Sequence, residues 1–149
     1  MPRQNTRLES EGAEFLVLGQ LLITGIPAYK AYTRTPAYDV IATNPTMNTS
    51  ARISVKSRWA TDASGCIIKS LDCDFVALVK LNRGSKDGRL QVKSPEFFVL
   101  PTAVLRDVPR SPRWNKMSFR HIPNLESYRD RWSLIREFLT HGPRTLAMK

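Results

Sequence analysis

The chain has 149 residues, enough for one domain with a buried core. Its 42% hydrophobic and 24% charged composition excludes wholesale disorder, and no apolar run approaches the ~20 residues of a membrane-spanning helix. Four basic and four acidic residues lie in positions 1–50, nine and five in 51–101, and ten and four in 102–149, so the net charge of +10 builds toward the C-terminal end. Such a gradient, dominated by arginine in its last third, points to a polyanionic partner rather than to solubility alone.

Residues 1–9 are expected to form a flexible arm. Ser10 reads as an N-cap with Glu11 and Glu14 in the first turn, and Gly25 stops the helix after Thr24. Phe15, Leu16, Val17, Leu18, Leu21, Leu22 and Ile23 cover most of its circumference, which predicts a helix buried on several sides. Glu14 is then either a capping acid at the helix edge or an acid aimed at a metal. Its spacing alone favours the first. Ile26 to Tyr32 predicts a strand, with Pro27 confined to its start or to an edge.

Pro36 to Arg58 reads as two strands and a turn. Val40, Ile41 and Ala42 are apolar, Asn44-Pro45 to Ser50 is turn chemistry, and Ile53 to Ser57 alternates. Residues two apart on a strand share a face, so Ser54 and Lys56 point one way and Ile53 and Val55 the other. Pairing brings Asp39 near Ser54 and Lys56. An acid and a lysine at adjacent strand ends suit a metal ion and a phosphate.

Trp59 to Ser70 predicts a loop or crossing. Cys66 and Cys73 form no CxxC pair, and no histidine stands at zinc-ligand spacing. Two structural thiols in a reduced, cytoplasmic protein are expected, because the polar N-terminus does not read as a secretory signal. A Cys66–Cys73 disulfide is the weaker alternative. The run Phe75-Val76-Ala77-Leu78-Val79 predicts a strand buried on both faces. Asn82 to Gly88 is a turn, Leu90 to Val92 a short strand, and Phe97 to Leu100 another strand that Pro101 stops. Thr102 caps a short turn through Leu105.

Asp107 to Arg120 reads as an irregular basic loop containing Arg110, Arg113, Trp114, Lys116 and Arg120. It is either a solvated connector or a nucleic-acid surface, with arginines on phosphates and Trp114 stacked on a base. Asn124 caps a last helix whose apolar face is Leu125, Tyr128, Trp132, Ile135 and Leu139. Arg129, Arg131 and Arg136 lie off that stripe and are expected in solvent. The element order predicts an α/β fold: a single domain over 1–149 with a central mixed β-sheet flanked by helices.

Gly12-Ala13-Glu14-Phe15-Leu16-Val17, Gly25-Ile26-Pro27, Tyr38-Asp39-Val40-Ile41-Ala42 and Arg52-Ile53-Ser54-Val55-Lys56-Ser57 together carry a resemblance. With Asp74 to Val79, Phe97 to Thr102 and Tyr128 to Leu139, they resemble the restriction-endonuclease-like, or PD-(D/E)xK, nuclease superfamily. Within it they are similar to the small bacterial branch related to Holliday junction resolvases. The resemblance covers nearly the whole chain through short motifs whose order and spacing carry it. It implies a restriction-endonuclease-like core and a metal-dependent DNA endonuclease using Mg²⁺ or Mn²⁺. Asp39 and Glu14 would be the metal ligands, and Lys56 would position water or stabilise phosphate charge. Arg34, Arg58, Arg110, Arg113, Trp114 and Lys116 would meet DNA. A homodimer is also an expectation, since nucleases of this family often dimerise. The family's middle acid or glutamine is Ser54 here, a weaker, neutral ligand. A nuclease-fold DNA-binding or assembly module with weakened catalysis is therefore the alternative. Sequence patterns alone favour an ordinary hairpin with Asp39 and Lys56 as a surface ion pair; the resemblance sets both nuclease-fold readings above it, and a Ser-x-Lys hydrolase ranks low.

Overall fold

Helix α1 spans Thr6–Ile23 in the computed structural model, which describes residues 6–32 and 38–141. The helix begins before Ser10, so Ser10, Glu11 and Glu14 are interior positions rather than a cap and first turn. It also buries less than its composition predicts. Ala13, Val17 and Leu21, four apart on one stripe, are fully covered, while Leu8, Phe15, Leu22 and Ile23 stay exposed. Gly25, at φ +85°, ends it. The Gly25 and Ile26 N–H groups donate back to Leu22 and Leu21 and satisfy the last carbonyls.

Strands β1 (Ala28–Lys30), β2 (Val40–Asn44) and β3 (Thr49–Arg58) run antiparallel in sequence. The β2–β3 turn lies within the predicted stretch but is shorter, since Thr49 and Ser50 already pair with Asn44 and Thr43; the Asn44 carboxamide accepts from the Met47 N–H at 3.3 Å and Asn48 takes the left-handed conformation. β4 (Gly65–Ile67) is a short strand inside the predicted loop. β5 (Phe75–Lys80) then pairs parallel with β3, and β6 (Glu96–Pro101) antiparallel with β5. The central sheet is mixed, in the order β1-β2-β3-β5-β6.

The central sheet separates two cores. Phe75, Ala77 and Val79 of β5 face α1 and the last helix, with Ile53, Val40 and Val17 in the same cluster. Val76 and Leu78 face the other way, onto Phe98, Leu100, Met117, Phe119 and Ile122. Five consecutive buried residues in β5 follow from this double packing.

After β5 the structure departs from the sequence reading in three places. Leu90–Val92 forms only an isolated bridge, Arg83 to Val92. Within the basic loop, β7 (Lys116–Ser118) pairs with β4 as a second, two-stranded sheet. Asn124 is left-handed at φ 53° and begins a 3-10 turn, Leu125–Tyr128, rather than the final helix. Asp130, also left-handed, precedes α3 (Ser133–His141). Trp132, Ile135 and Leu139 pack on the α1 side, whereas Leu125 and Tyr128 pack on the opposite core, so their three-and-four spacing joins two different elements. A four-residue helix, α2 (Thr102–Leu105), has no side-chain cap, and the Thr102 hydroxyl lies 3.5 Å from the Cys73 sulfur. Cys66 and Cys73 are free and buried. Arg129 is no solvated arginine: it binds Glu96 at 2.6 Å and Glu126 at 2.7 Å. Arg136 donates to the Thr24 carbonyl. No described helix is long and apolar enough to cross a membrane.

Candidate functional site

The β2–β3 ladder has its last pair at Val40–Ile53, and the two strands part there. Asp39 sits at the parting. Its N–H donates to the Ile53 carbonyl at 2.8 Å, but its carbonyl accepts instead from Ala31 at 2.9 Å. The Val55 N–H, left without a strand partner on that side, donates to Asp39 Oδ2 at 2.7 Å. A side chain thus replaces the missing backbone acceptor and fixes the carboxylate at the open edge of β3. Burial raises the Asp39 pKa. The Val55 N–H, Lys56 and Lys30 work against that rise, and Glu11 adds to it.

Glu14 approaches from α1. Burial and the Asp39 charge raise its pKa, opposed by Lys30. The Asp39 charge thus disfavours ionisation of Glu14. Lys56 acts on both Asp39 and the Cys66 thiol, which burial pushes up to about 11. Ser54 is on the same strand face as Lys56 but only 1% exposed, opposite Val76 in the parallel ladder. Asp39 is thus coupled by charge to Glu14 on the α1 side and to Lys56 on β3, and Ser54 is packed into the sheet on the Lys56 face.

Two further residues join the cluster: Glu11, read from the sequence only as a first-turn acid, and Lys30, given no role there. Lys30, at the end of β1, donates to Glu11 and lies 3.2 Å from Glu14 Oε1, with 5% of its side chain exposed. The Phe15 ring centroid is 4.3 Å from its ammonium and the Tyr32 centroid 5.3 Å. Burial would lower the Lys30 pKa, and the two carboxylates outweigh it and leave it raised. The only sequence signal was two acids three apart on α1 and a lysine inside an apolar strand; their meeting depends on how the helix docks.

Asp39 and Glu14 offer oxygen donors of the type that Mg²⁺ and Mn²⁺ prefer. Among the described residues no three His, Cys, Asp or Glu side chains form a metal-binding group. Two carboxylates completed by water and substrate phosphate are nevertheless a common Mg²⁺ set, so the donors present fit such an ion. Asp62 contributes nothing, since it is exposed and paired with Lys93 at 3.1 Å.

The basic residues divide. Arg58 donates to the Gly65 carbonyl and Arg110 to the Ile68 carbonyl, the latter at 2.7 Å, so both hold the β4 segment. Arg113, Trp114 and Lys116 are exposed, with the Arg113 guanidinium 5.2 Å from the Trp114 ring. They form an exposed basic surface at the start of β7. Arg34 lies outside the described residues.

No protein-family model matches the chain, and no curated protein matches it significantly in sequence. Among solved structures it is similar to a bacterial homing endonuclease, I-Ssp6803I. The TM-score is 0.62 at 17% identity, over 99% of this chain and 100% of that one. The likeness shows a shared fold along the whole length.

Proposed function

We propose that the chain is a metal-dependent DNA endonuclease of the restriction-endonuclease-like kind. The observation that supports this reading is Asp39, fixed by the Val55 N–H where β2 leaves β3 and coupled by charge both to Glu14 and to Lys56. The three come from separate elements of a fold whose similar solved structure is a homing endonuclease. Phosphodiester hydrolysis requires charge stabilisation at phosphate and an activated water, and a bound divalent ion supplies both. Asp39 and Glu14 would hold that ion. The Val55 N–H orients Asp39, so the carboxylate reaches the site at little further ordering cost. Lys56 presents a cation to the scissile phosphate or the attacking water. Arg113, Trp114 and Lys116 provide phosphate contacts and a stacking ring on the side of β3 where β4 and β7 lie.

Incubation with plasmid and branched DNA in Mg²⁺ or Mn²⁺, alongside Asp39→Ala and Lys56→Ala, tests the assignment. Cleavage by the wild type that both substitutions abolish is expected. Cleavage that survives both would sink it. A second reading rests on Ser54, which is 1% exposed and neutral where the resembled nucleases carry an acid or glutamine. Under that reading the chain binds DNA without cutting it, and the same assay would give salt-sensitive binding with no product.

A further inference from the structure

Lys30 is neither a surface lysine nor part of the nuclease resemblance, yet it sits against a carboxylate that the proposed function assigns to a metal ion. Its ammonium is bridged between Glu11 and Glu14, roofed by Phe15 and nearly sealed from solvent. An ammonium and a divalent cation both bind carboxylate oxygen, and they repel each other. An ion on Glu14 would lie about 2 Å from its oxygen. That is within about 5 Å of a Lys30 ammonium that had not moved, where even bulk water leaves roughly tenfold of unfavourable coupling with a divalent charge. The two partners differ in exposure: the Glu11 side chain is 49% exposed and the Glu14 side chain 18%. Glu11 therefore has room to take the ammonium alone.

We propose that Lys30 is an internal counter-cation that holds Glu14 in place without metal and sets divalent-ion affinity by retreating onto Glu11. The proposal rests on the reading that Glu14 and Asp39 hold the ion. It makes Glu11 and Lys30 positioning residues rather than catalytic ones. Lys30 and Lys56 together neutralise two of the three acids Glu11, Glu14 and Asp39, so the metal-free cluster is left with one net negative charge.

The test is Mn²⁺ binding to the full chain without DNA, followed by loss of the free-ion electron paramagnetic resonance signal. Lys30→Met should bind Mn²⁺ about tenfold more tightly than wild type. Glu11→Gln, at an exposed helix position that tolerates an amide, should bind it several-fold more weakly, because Lys30 then has only Glu14 to pair with. Asp39→Ala should abolish binding. Unchanged or weaker binding by Lys30→Met, with the Asp39 effect intact, overturns the role of Lys30 and leaves the nuclease reading standing. If Lys30→Met does not fold, Glu11→Gln decides: unchanged or tighter binding overturns the proposal. No Mn²⁺ binding by wild type or any variant overturns both readings together.

Discussion

Asp39 does two jobs that substitution can separate. Its carboxylate accepts the Val55 N–H at 2.7 Å, and it carries a charge that burial disfavours. Asp39→Asn keeps an acceptor for Val55 and removes the charge. Asp39→Ala removes both and leaves a partly buried N–H unpaired, at a cost of about 1–3 kcal/mol. The alanine variant should thus be less stable than the asparagine one by about that amount. For a chain of this size about 1 kcal/mol corresponds to roughly 2–4 °C, so a melting-temperature gap of about 4 °C between the two is expected. Asp39→Asn should melt at or above wild type near neutral pH, because the buried charge beside Glu14 has gone. Both variants should lose DNA cleavage by about three orders of magnitude, the scale of several kcal/mol of transition-state stabilisation. Parallel thermal denaturation and plasmid-nicking assays measure both quantities. Equal melting temperatures for the two variants would refute the structural role of the hydrogen bond. Cleavage by Asp39→Asn at wild-type rate would refute the catalytic one.

The raised pKa values of Glu14 and Asp39 give a signed pH dependence. Between the ordinary values of 4.5 and 3.8 and their higher native values, the folded state keeps protons that the unfolded chain has released. Their contribution to stability is full below that window and is lost as pH rises through it. Glu96 works in the opposite direction: burial is outweighed by Asn82 and Arg129, which lower its pKa. Denaturant midpoints of wild type and Asp39→Asn across about pH 4–7 isolate the Asp39 part, and the variant should gain relative to wild type as pH rises. Gly65→Ala would place a methyl 2.5 Å from the Met117 carbonyl oxygen. It should open the β4–β7 pair and cost on the order of 1–3 kcal/mol by denaturant titration. Removing Arg113 and Lys116 together should weaken DNA binding and shallow its log–log salt slope by about 2, while the melting temperature stays within a degree or two.

The hairpin and the double-buried strand were readable because their signals are local. Alternation from Ile53, the Asn44–Ser50 turn and five apolar residues in β5 each specify an element without help from distant residues. The end of the chain was not readable on the same terms. Leu125 and Tyr128 keep helical spacing with Trp132, but a left-handed Asp130 breaks the backbone between them, and spacing carries no information about that. β4 and β7 are three residues each and meet across some fifty positions, too short for a periodicity to register. The site divides likewise. Asp39 and Lys56 share a hairpin and could be paired on paper. Glu14 entered through resemblance. Lys30 and Glu11 required the packing angle of α1 against β1, which only tertiary structure sets. Arg58 and Arg110 are expected from the resemblance to meet DNA, and carbonyl oxygens of the β4 segment accept their hydrogen bonds instead.

The two cores on opposite faces of the sheet bear on how this site can change. β3 lies between β2 and β5, and alternate residues of β5 fill different clusters. Sliding β5 by one residue would exchange Phe75, Ala77 and Val79 for Val76 and Leu78 in spaces shaped for the others. Intermediate displacements have no hydrogen-bonded register at all. The β2–β3 register, with Val40 opposite Ile53, is quantised in the same way, so the offset between Asp39 and Lys56 is set in whole-residue steps of about 3.3 Å, not along a continuum. Substitutions on the outer surface can retune affinity for DNA or for a metal ion, but they cannot gradually stretch the distance over which the acid and the lysine cooperate.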